Sequence, residues 1–454
     1  MRVKKVRVMF VAVLILLSFT SKAQFTTGNL VVVRLGDGTT VYNGGAAARC
    51  FLDEYTTTGT LVQSVAMPVT TSGANRRFML SNGFTGGLIT LSLDNRYLVL
   101  PGYDVAELSQ PLTSLTAAIA PRIVARINKN AVINTATVTG AYDGEAVESA
   151  YSPNGTDIAV AGSSGNPIVT GTGGVRYVVY GGTSSLAVNL ASLSNYQLNV
   201  FNNQLYLSSE FNNVSIGIFS GTFPVTVAPT ITNLPGLPAS NTTPIGYFMA
   251  DLDNTVAGVD VLYVCDRNGF GGATGNTITK YSLVGGNWVK NNSVAITSPL
   301  GLTATITGST VTLYATSSTK LFSLVDASGY NGNVTASLTT LATAAVNTTF
   351  KGLAFSPSVS DGVTSAVREE EFLNISNVFQ SSANSLQVTW SAKKPELLII
   401  SIVDLYGRTV YRSSTRSTAG INQRSLPIQS IAKGSYVVRI TNGKTQTAHQ
   451  FVKQ

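Results

Sequence analysis

Polar and apolar residues alternate along this chain in short runs, and helical periodicity is nearly absent. The runs are rich in Val, Ile, Thr and Tyr, and Asn-Gly, Asp-Gly, Gly-Gly and Pro separate them. Alternation with a period of two between turn residues is typical of β-strands. The sequence therefore predicts an all-β protein.

One unit repeats: an apolar strand, a polar turn and a second apolar strand. Its copies begin near residues 88, 147, 196, 247 and 302, in steps of 49 to 59 residues. This spacing is typical of four-stranded propeller blades. We predict a β-propeller with six blades, or alternatively seven. A stacked array of β-sandwiches is the other architecture that we considered.

A sixth first strand, residues 350–357, is followed by no partner strand. Three unmatched strand patterns stand near the other end of the chain, at 29–38, 49–59 and 61–68. We expect these four strands to share one blade, because such a closure leaves no open edge. Cys50 and Cys265 then lie in different blades, and we expect two buried, unpaired thiols.

Residues 1–23 have the pattern of a secretory signal peptide. A basic MRVKKVR segment precedes 12 largely apolar residues, 8–19, and Ser21 and Ala23 supply the small residues of a cleavage site. The apolar run is too short for a membrane helix. We expect no transmembrane helix in the mature chain, and an extracellular destination.

The rest of the chain divides by pattern into three parts. We assign residues 24–357 to the propeller and 358–371, with its Arg-Glu-Glu-Glu run, to a linker. Residues 372–454 show a separate set of about seven short strands. Taken alone, this set predicts an Ig-like β-sandwich.

The C-terminal part carries a recognisable set of motifs. Asp404, Gly407 and Arg408 lie in IVDLYGR, Gly434 and Tyr436 begin GSYVVRI, and Lys453 stands near the end. In this order and spacing they resemble the C-terminal sorting domain of type IX secretion cargo. The resemblance implies a Gram-negative bacterium, export through the periplasm by the type IX machinery, and release or attachment at the outer cell surface. The segments VVRLGDG and FLDEYTTTGTLVQSVAMP also resemble the start of uncharacterised secreted propeller-type proteins.

The formal charge of +8 is uneven. The predicted signal peptide holds five basic residues and no acidic one, and residues 367–454 hold 11 basic and five acidic residues. The propeller segment is therefore slightly acidic and offers no basic patch for nucleic acid. We expect a monomer.

Candidate chemistry is sparse. The only histidine, His449, lies in the C-terminal part, which excludes histidine-based catalysis and histidine-ligated metals in the propeller. Adjacent Asp53 and Glu54 point to opposite faces of a strand, and we interpret them as a hairpin edge. Glycine-rich GGATGN and GTGGVRYVVYGG are expected to be blade turns, since neither precedes a helix.

The best metal candidate is ADLDNTVAGVDVLYVCD. Asp251, Asp253 and Asp260, with Asn254 and Asp266, could offer oxygen ligands to Ca²⁺, although turn-forming aspartate explains the same pattern. No other cofactor is predicted.

Aromatic residues predicted on loops could stack on sugar rings, although buried packing is the alternative. They are Tyr103, Tyr142, Tyr151, Phe211 and Phe270. The favoured function is a non-enzymatic surface or secreted propeller that binds a glycan or a protein, for instance in adhesion. The alternative is a carbohydrate-active enzyme that uses carboxylates on the propeller face.

Overall fold

The computed structural model describes residues 24–83, 86–109, 112–163, 172–189, 194–201, 204–210, 214–221, 229–240, 242–267, 276–360, 374–392, 394–404, 408–442 and 446–453. Within these ranges the regular structure is β-strand, without a helix. The chain divides into two compact units, Met1–Gly362 and Val363–Gln454. The predicted signal peptide and most of the predicted linker lie outside the described residues.

The strands of the first unit are β1 (Leu30–Leu35), β2 (Ala47–Tyr55), β3 (Leu61–Ala66), β4 (Met79–Ser81), β5 (Thr90–Leu91), β6 (Tyr97–Tyr103), β7 (Arg122–Asn128), β8 (Ile133–Val138), β9 (Val147–Tyr151), β10 (Asp157–Gly162), β11 (Val175–Val179), β12 (Leu186–Asn189), β13 (Ser194–Phe201), β14 (Gln204–Glu210), β15 (Ile216–Phe219), β16 (Ile231–Asn233), β17 (Pro244–Ala250), β18 (Val261–Asp266), β19 (Thr277–Val284), β20 (Asn287–Ala295), β21 (Pro299–Thr307), β22 (Thr310–Ser317), β23 (Lys320–Asp326), β24 (Thr339–Thr343) and β25 (Thr349–Phe355). Those of the second unit are β26 (Asn374–Ser382), β27 (Ser385–Ala392), β28 (Leu397–Asp404), β29 (Thr409–Arg416), β30 (Gly420–Pro427), β31 (Gly434–Thr441) and β32 (Gln446–Lys453).

The first unit is propeller-like, because its strands form antiparallel groups of four. The groups β9–β12, β13–β16, β17–β20 and β21–β24 are separate four-stranded sheets. Strands β5–β8 pair in chain order and form another group. Each predicted strand–turn–strand repeat is the first hairpin of one group, as the alternation predicted.

The remaining group joins the two ends of the unit. Strand β25 pairs with β1, β1 with β2, and β2 with β3. This is the pairing of one late strand with three early strands that the unmatched patterns predicted. Strand β4 bridges β2 and β6, so that this group and β5–β8 count as one nine-stranded sheet.

Hydrophobic clusters fill the spaces between successive groups. For example, Val33 and Leu52 pack with Leu98 and Ile123, which joins the β25–β1–β2–β3 group to β5–β8. Further clusters join each group to the next, and Tyr314 and Leu321 pack with Leu30 and Phe350 to return to the first group. Alternating strand residues thus bury both faces of a group between its neighbours.

The first strands of the groups lie close together because small residues occur where they meet. The Gly352 nitrogen donates to the Gly87 carbonyl oxygen at 3.0 Å, and Leu88 nitrogen donates to the Glu148 carbonyl oxygen at 3.2 Å. A Cβ atom on Gly352 would lie 2.6 Å from Gly87 oxygen, and one on Gly301 would lie 2.7 Å from Leu353. Side chains at these positions would force the first strands apart.

The second unit is a two-sheet β domain. One sheet has the order β26–β27–β30 and the other β29–β28–β31–β32. Alternate residues of both sheets, including Val388, Trp390, Ile400 and Val438, form its hydrophobic core. The expected strand alternation is present, and the seven described strands agree with the number that the pattern predicted.

Both cysteines are free and buried, as predicted. Burial raises the pKa of the Cys50 and Cys265 thiols well above the usual range, so neither is an activated nucleophile. The described part of the chain contains no helix long and apolar enough to cross a membrane.

Candidate functional site

A cavity of about 440 Å³ opens where β9 and β13 begin. We call it the mouth cavity. Polar and apolar residues line it in about equal share, and the polar ones include Ser81, Glu145, Glu148, Ser194 and Tyr196. Tyr196 also packs with Leu88 and Ile245, which come from the starts of two other groups. The cavity thus combines polar walls with an apolar side, as ligand sites commonly do.

Glu145 and Glu148 bring two carboxyl groups to the same cavity. Glu145 is half-buried, and burial raises its pKa, while Arg122 acts in the opposite direction. Glu148 is only 2% exposed at the start of β9. Two carboxyl groups in different surroundings are suited to holding sugar hydroxyls or to acid–base chemistry.

Arg122, a fully buried residue on β7, holds the walls of the mouth cavity in place. Its guanidinium donates to the carbonyl oxygens of Glu145 at 2.7 Å, Leu115 at 2.8 Å and Ala120 at 2.8 Å. It also lies 5.1 Å from the centre of the Tyr103 ring. Burial lowers the pKa of Arg122 and raises that of Tyr103 to about 12. The Tyr103 hydroxyl accepts a hydrogen bond from Val147 nitrogen at 3.2 Å, so this residue also fixes the start of β9.

Lys351 places a buried amine beside the mouth cavity. The side chain is 2% exposed at the start of β25, and its Nζ donates to Gly83 oxygen at 2.5 Å. Burial lowers its pKa to about 8; Glu148 opposes this shift, and Arg267 adds to it. Glu148 and Arg267 also lie near Tyr196, whose hydroxyl donates to Glu210 at 2.6 Å. First strands from several groups therefore assemble one electrostatic cluster.

The sequence analysis missed Glu145, Glu148 and Lys351. A signal was present: AVESAY and FKGLAF each place a single charged residue inside an apolar strand. A charge in such a position is costly unless it is paired or functional. The proximity of residues 148 and 351 depends on the order in which the groups pack, which sequence spacing does not show.

The predicted calcium ligands cap turns. The Asp260 carboxylate accepts from the backbone nitrogens of Leu252 at 2.9 Å and Asp253 at 2.6 Å. Burial raises the pKa of Asp260, and these two hydrogen bonds oppose the shift. Asp253 accepts from Thr255, which lowers its pKa, and Asp251 is exposed. Across the described residues, no three His, Cys, Asp or Glu side chains are grouped to hold a metal. Calcium binding at Asp251, Asp253 and Asp260 stays a prediction.

Asp53 and Glu54 do not lie on a hairpin edge, so that interpretation is wrong. Strand β2 is paired on both sides, and both carboxyl groups are buried. Asp53 forms an ion pair with Arg34 at 2.6 Å, whereas Glu54 accepts from the Asn29 and Gln63 side chains, each at 2.6 Å. Their partners differ, and these bonds stabilise the β1–β2–β3 sheet.

The prediction of exposed loop aromatics is wrong for Tyr103, Tyr142 and Tyr151, which are at most 2% exposed. They pack between groups, and the Tyr142 hydroxyl lies 2.9 Å from the Val160 carbonyl oxygen. Phe211 and Phe270 lie outside the described residues.

The sorting-motif residues of the second unit have structural contacts. Asp404 accepts from Arg408 backbone nitrogen at 2.9 Å and from Arg408 Nε at 2.7 Å, which closes the turn between β28 and β29. Gly407, between them in sequence, lies outside the described residues.

The last strand is held by the other motif residues. Lys453 is 8% exposed and its Nζ donates to Ile428 oxygen at 2.5 Å and to Ile431 oxygen. Gly434 pairs with Lys453 across β31 and β32, and the Tyr436 and Phe451 ring centres are 5.8 Å apart. These contacts give the motif a folded shape.

Residues 382–454 match the family model described as a secretion system C-terminal sorting domain. The resemblance of this segment to type IX sorting domains is thereby confirmed. The match supports a secreted cargo and an interaction with the secretion machinery.

Comparisons of the whole chain are less specific. No curated protein matches it. A solved structure from Bacteroides fragilis, provisionally described as a 6-phosphogluconolactonase, has a TM-score of 0.39 at 10% identity and covers 87% of this chain and 98% of its own. A protein from Lactobacillus plantarum gives 0.38 at 9% identity, with 87% and 99% covered. Likenesses this distant carry no argument about activity.

Proposed function

We propose that this protein is an exported six-bladed propeller that binds a glycan at its mouth cavity. The six groups of four strands are the proposed blades. Their first strands contact one another in the order β25, β5, β9, β13, β17, β21 and back to β25, which supports a closed ring. The C-terminal unit is the proposed sorting signal. It is removed, or retained at the cell surface, after export through the periplasm.

The mouth cavity is the observation that carries the binding proposal. Its hydroxyl groups, backbone groups and two carboxyl groups match the many hydroxyls of a sugar, and Tyr196 supplies an aromatic surface. Arg122 fixes the surrounding carbonyl groups before a ligand arrives, which lowers the entropic cost of binding.

A glycan array with product analysis tests this function. Residues 24–454 would be probed with and without calcium, and the same glycans analysed for cleavage. We expect saturable binding without product, weakened about tenfold by Glu148→Gln, since a charged acceptor for a hydroxyl is replaced by a neutral amide. Glu107→Gln, a surface carboxyl outside the cavity, is the matched control. If the folded protein binds none of the glycans, the proposal is contradicted and a protein ligand is favoured.

A carbohydrate-active enzyme is the second candidate, because Glu145 and Glu148 share one cavity. Burial raises the pKa of Glu145, as suits a general acid. In that case the array would yield product, and Glu145→Gln and Glu148→Gln would each abolish it. If the wild type forms no product and the two variants lose glycan binding, the first candidate is favoured.

A further inference from the structure

A second, smaller cavity lies away from the mouth cavity. It has a volume of about 170 Å³ and is lined by strands β6–β8 and two loops. Its polar side chains are Arg126, Asn75, Asn128 and Asn134, with the rings of Tyr97 and Tyr180. We call it the arginine cavity. The volume corresponds to between five and six water molecules at about 30 Å³ each.

The guanidinium of Arg126 is held between two aromatic rings. Its central carbon lies 4.4 Å from the centre of the Tyr97 ring and 3.4 Å from that of Tyr180. Nη1 donates to Gly155 oxygen at 3.0 Å. Gly155 is required here, because a Cβ atom would lie 2.3 Å from the Tyr97 ring. The arginine is thus positioned before any ligand binds.

The arginine has no acidic partner among the described residues. The ion pairs among these residues do not include Arg126. By contrast, Arg76 and Arg77 are paired with Asp104, and Arg96 is paired with Asp94. Among the described residues, no Asp or Glu lines the arginine cavity. Nε and Nη2 of Arg126 form no hydrogen bond with the described residues, so they remain available as charged donors.

The asparagines add further donors. Asn75 Oδ1 accepts from Thr135 nitrogen at 2.8 Å, and Asn134 Oδ1 accepts from Ala136 nitrogen at 3.1 Å. The backbone therefore occupies the acceptor end of both amides, which leaves the Nδ2 groups as donors. Asn128 Oδ1 accepts from the Asn130 and Val132 nitrogens, so this side chain holds the turn between β7 and β8. The amides of Asn75 and Asn134 and the guanidinium together form a donor set.

We propose that the arginine cavity binds the carboxylate or sulfate group of an acidic sugar. Arginine recognises such oxyanions with two parallel hydrogen bonds, and the flanking amides complete the recognition. The two tyrosine rings hold the guanidinium between them, so that its edge makes the contact with the oxyanion. This site is independent of the mouth cavity and selects ligands by charge.

A binding titration tests this site. Residues 24–454 would be titrated with methyl glucuronide, methyl glucoside and a methyl glucoside sulfate, and binding would be measured by ligand-observed NMR and calorimetry. We expect an acidic sugar to bind at least about tenfold more tightly than the neutral glucoside, since charged hydrogen bonds are the strong ones. Equal binding of the neutral sugar, or no binding of either acidic sugar by the folded protein, overturns the proposal.

Two variants locate the site. Arg126→Gln removes the charge, and Asn134→Asp keeps the acceptor for Ala136 but replaces a donor with a carboxylate. Each should weaken acidic-sugar binding by about tenfold or more. Arg96→Gln changes the same charge on a neighbouring residue outside the lining and should leave binding unchanged. Glu148→Gln should also leave it unchanged, which separates this site from the mouth cavity. If Arg96→Gln weakens binding as much as Arg126→Gln, general electrostatics explains the result and the site is rejected.

Discussion

The buried amine of Lys351 makes the stability of the first unit depend on pH. Its pKa in the folded protein is about 8, against 10.5 in the unfolded chain. Because the folded state binds the proton more weakly, the unfolded state holds more protons between these values. The contribution of Lys351 to the free energy of unfolding therefore rises as the pH rises from about 8 towards 10.5.

The magnitude follows from the shift. At pH 7 the buried ammonium lowers the free energy of unfolding by about 3 kcal/mol, and at pH 10 by less than about 1 kcal/mol. Lys351→Met removes this proton linkage. Relative to the variant, the wild type should gain about 2.5 kcal/mol of stability between pH 7 and pH 10. Lost packing and hydrogen bonds change the offset between the two proteins but cancel in this comparison.

The assay can isolate the first unit. The chain has two tryptophans, Trp288 in the first unit and Trp390 in the second. In a Trp390→Phe background, Trp288 fluorescence reports denaturant unfolding of the first unit alone. Lys290→Met, an exposed lysine on β20, controls for the loss of a charge. A stability difference between wild type and Lys351→Met that stays constant from pH 7 to pH 10 would refute the reasoning.

Other contacts lead to further predictions. Asp326→Asn should destabilise the first unit by about 3–5 kcal/mol, because it leaves the Lys280 ammonium buried without its charge partner at 2.9 Å; denaturant unfolding followed by Trp288 measures this, and a loss below 1 kcal/mol would contradict it. Arg122→Met should lower the melting temperature, since buried carbonyl oxygens lose their donors; an unchanged calorimetric transition would show that Arg122 is dispensable. Lys453→Met should cost the second unit about 2 kcal/mol, followed by Trp390 fluorescence; unchanged unfolding would mean that the lysine does not hold β32.

The sequence predicted the strand pairs well, because alternation and turn residues are local signals. The five repeats are hairpins, and the late strand at 350 pairs with β1. Residue patterns also revealed the sorting motif, whose Asp404–Arg408 turn is contained in five residues.

The candidate sites were harder to predict because they form between groups distant in sequence. Glu148 and Lys351 meet near one cavity only after the groups pack, and Tyr97 meets Tyr180 around Arg126 in the same way. Tyr103 and Tyr151 lie on strands and Tyr142 in a loop, but all three rings enter the spaces between groups, where burial of a large ring outweighs the cost of its hydroxyl.

The central claim is that the second unit directs export while the first unit folds and binds its ligand. A measurement of export tests this claim most directly. The full chain and a version ending at residue 381 would be expressed in a bacterium with a type IX system, and periplasm, cell surface and medium would be assayed separately. The account predicts that the full chain reaches the surface or medium, whereas the truncated chain stays in the periplasm with an unchanged melting transition of the first unit. Equal export of the truncated chain would contradict it.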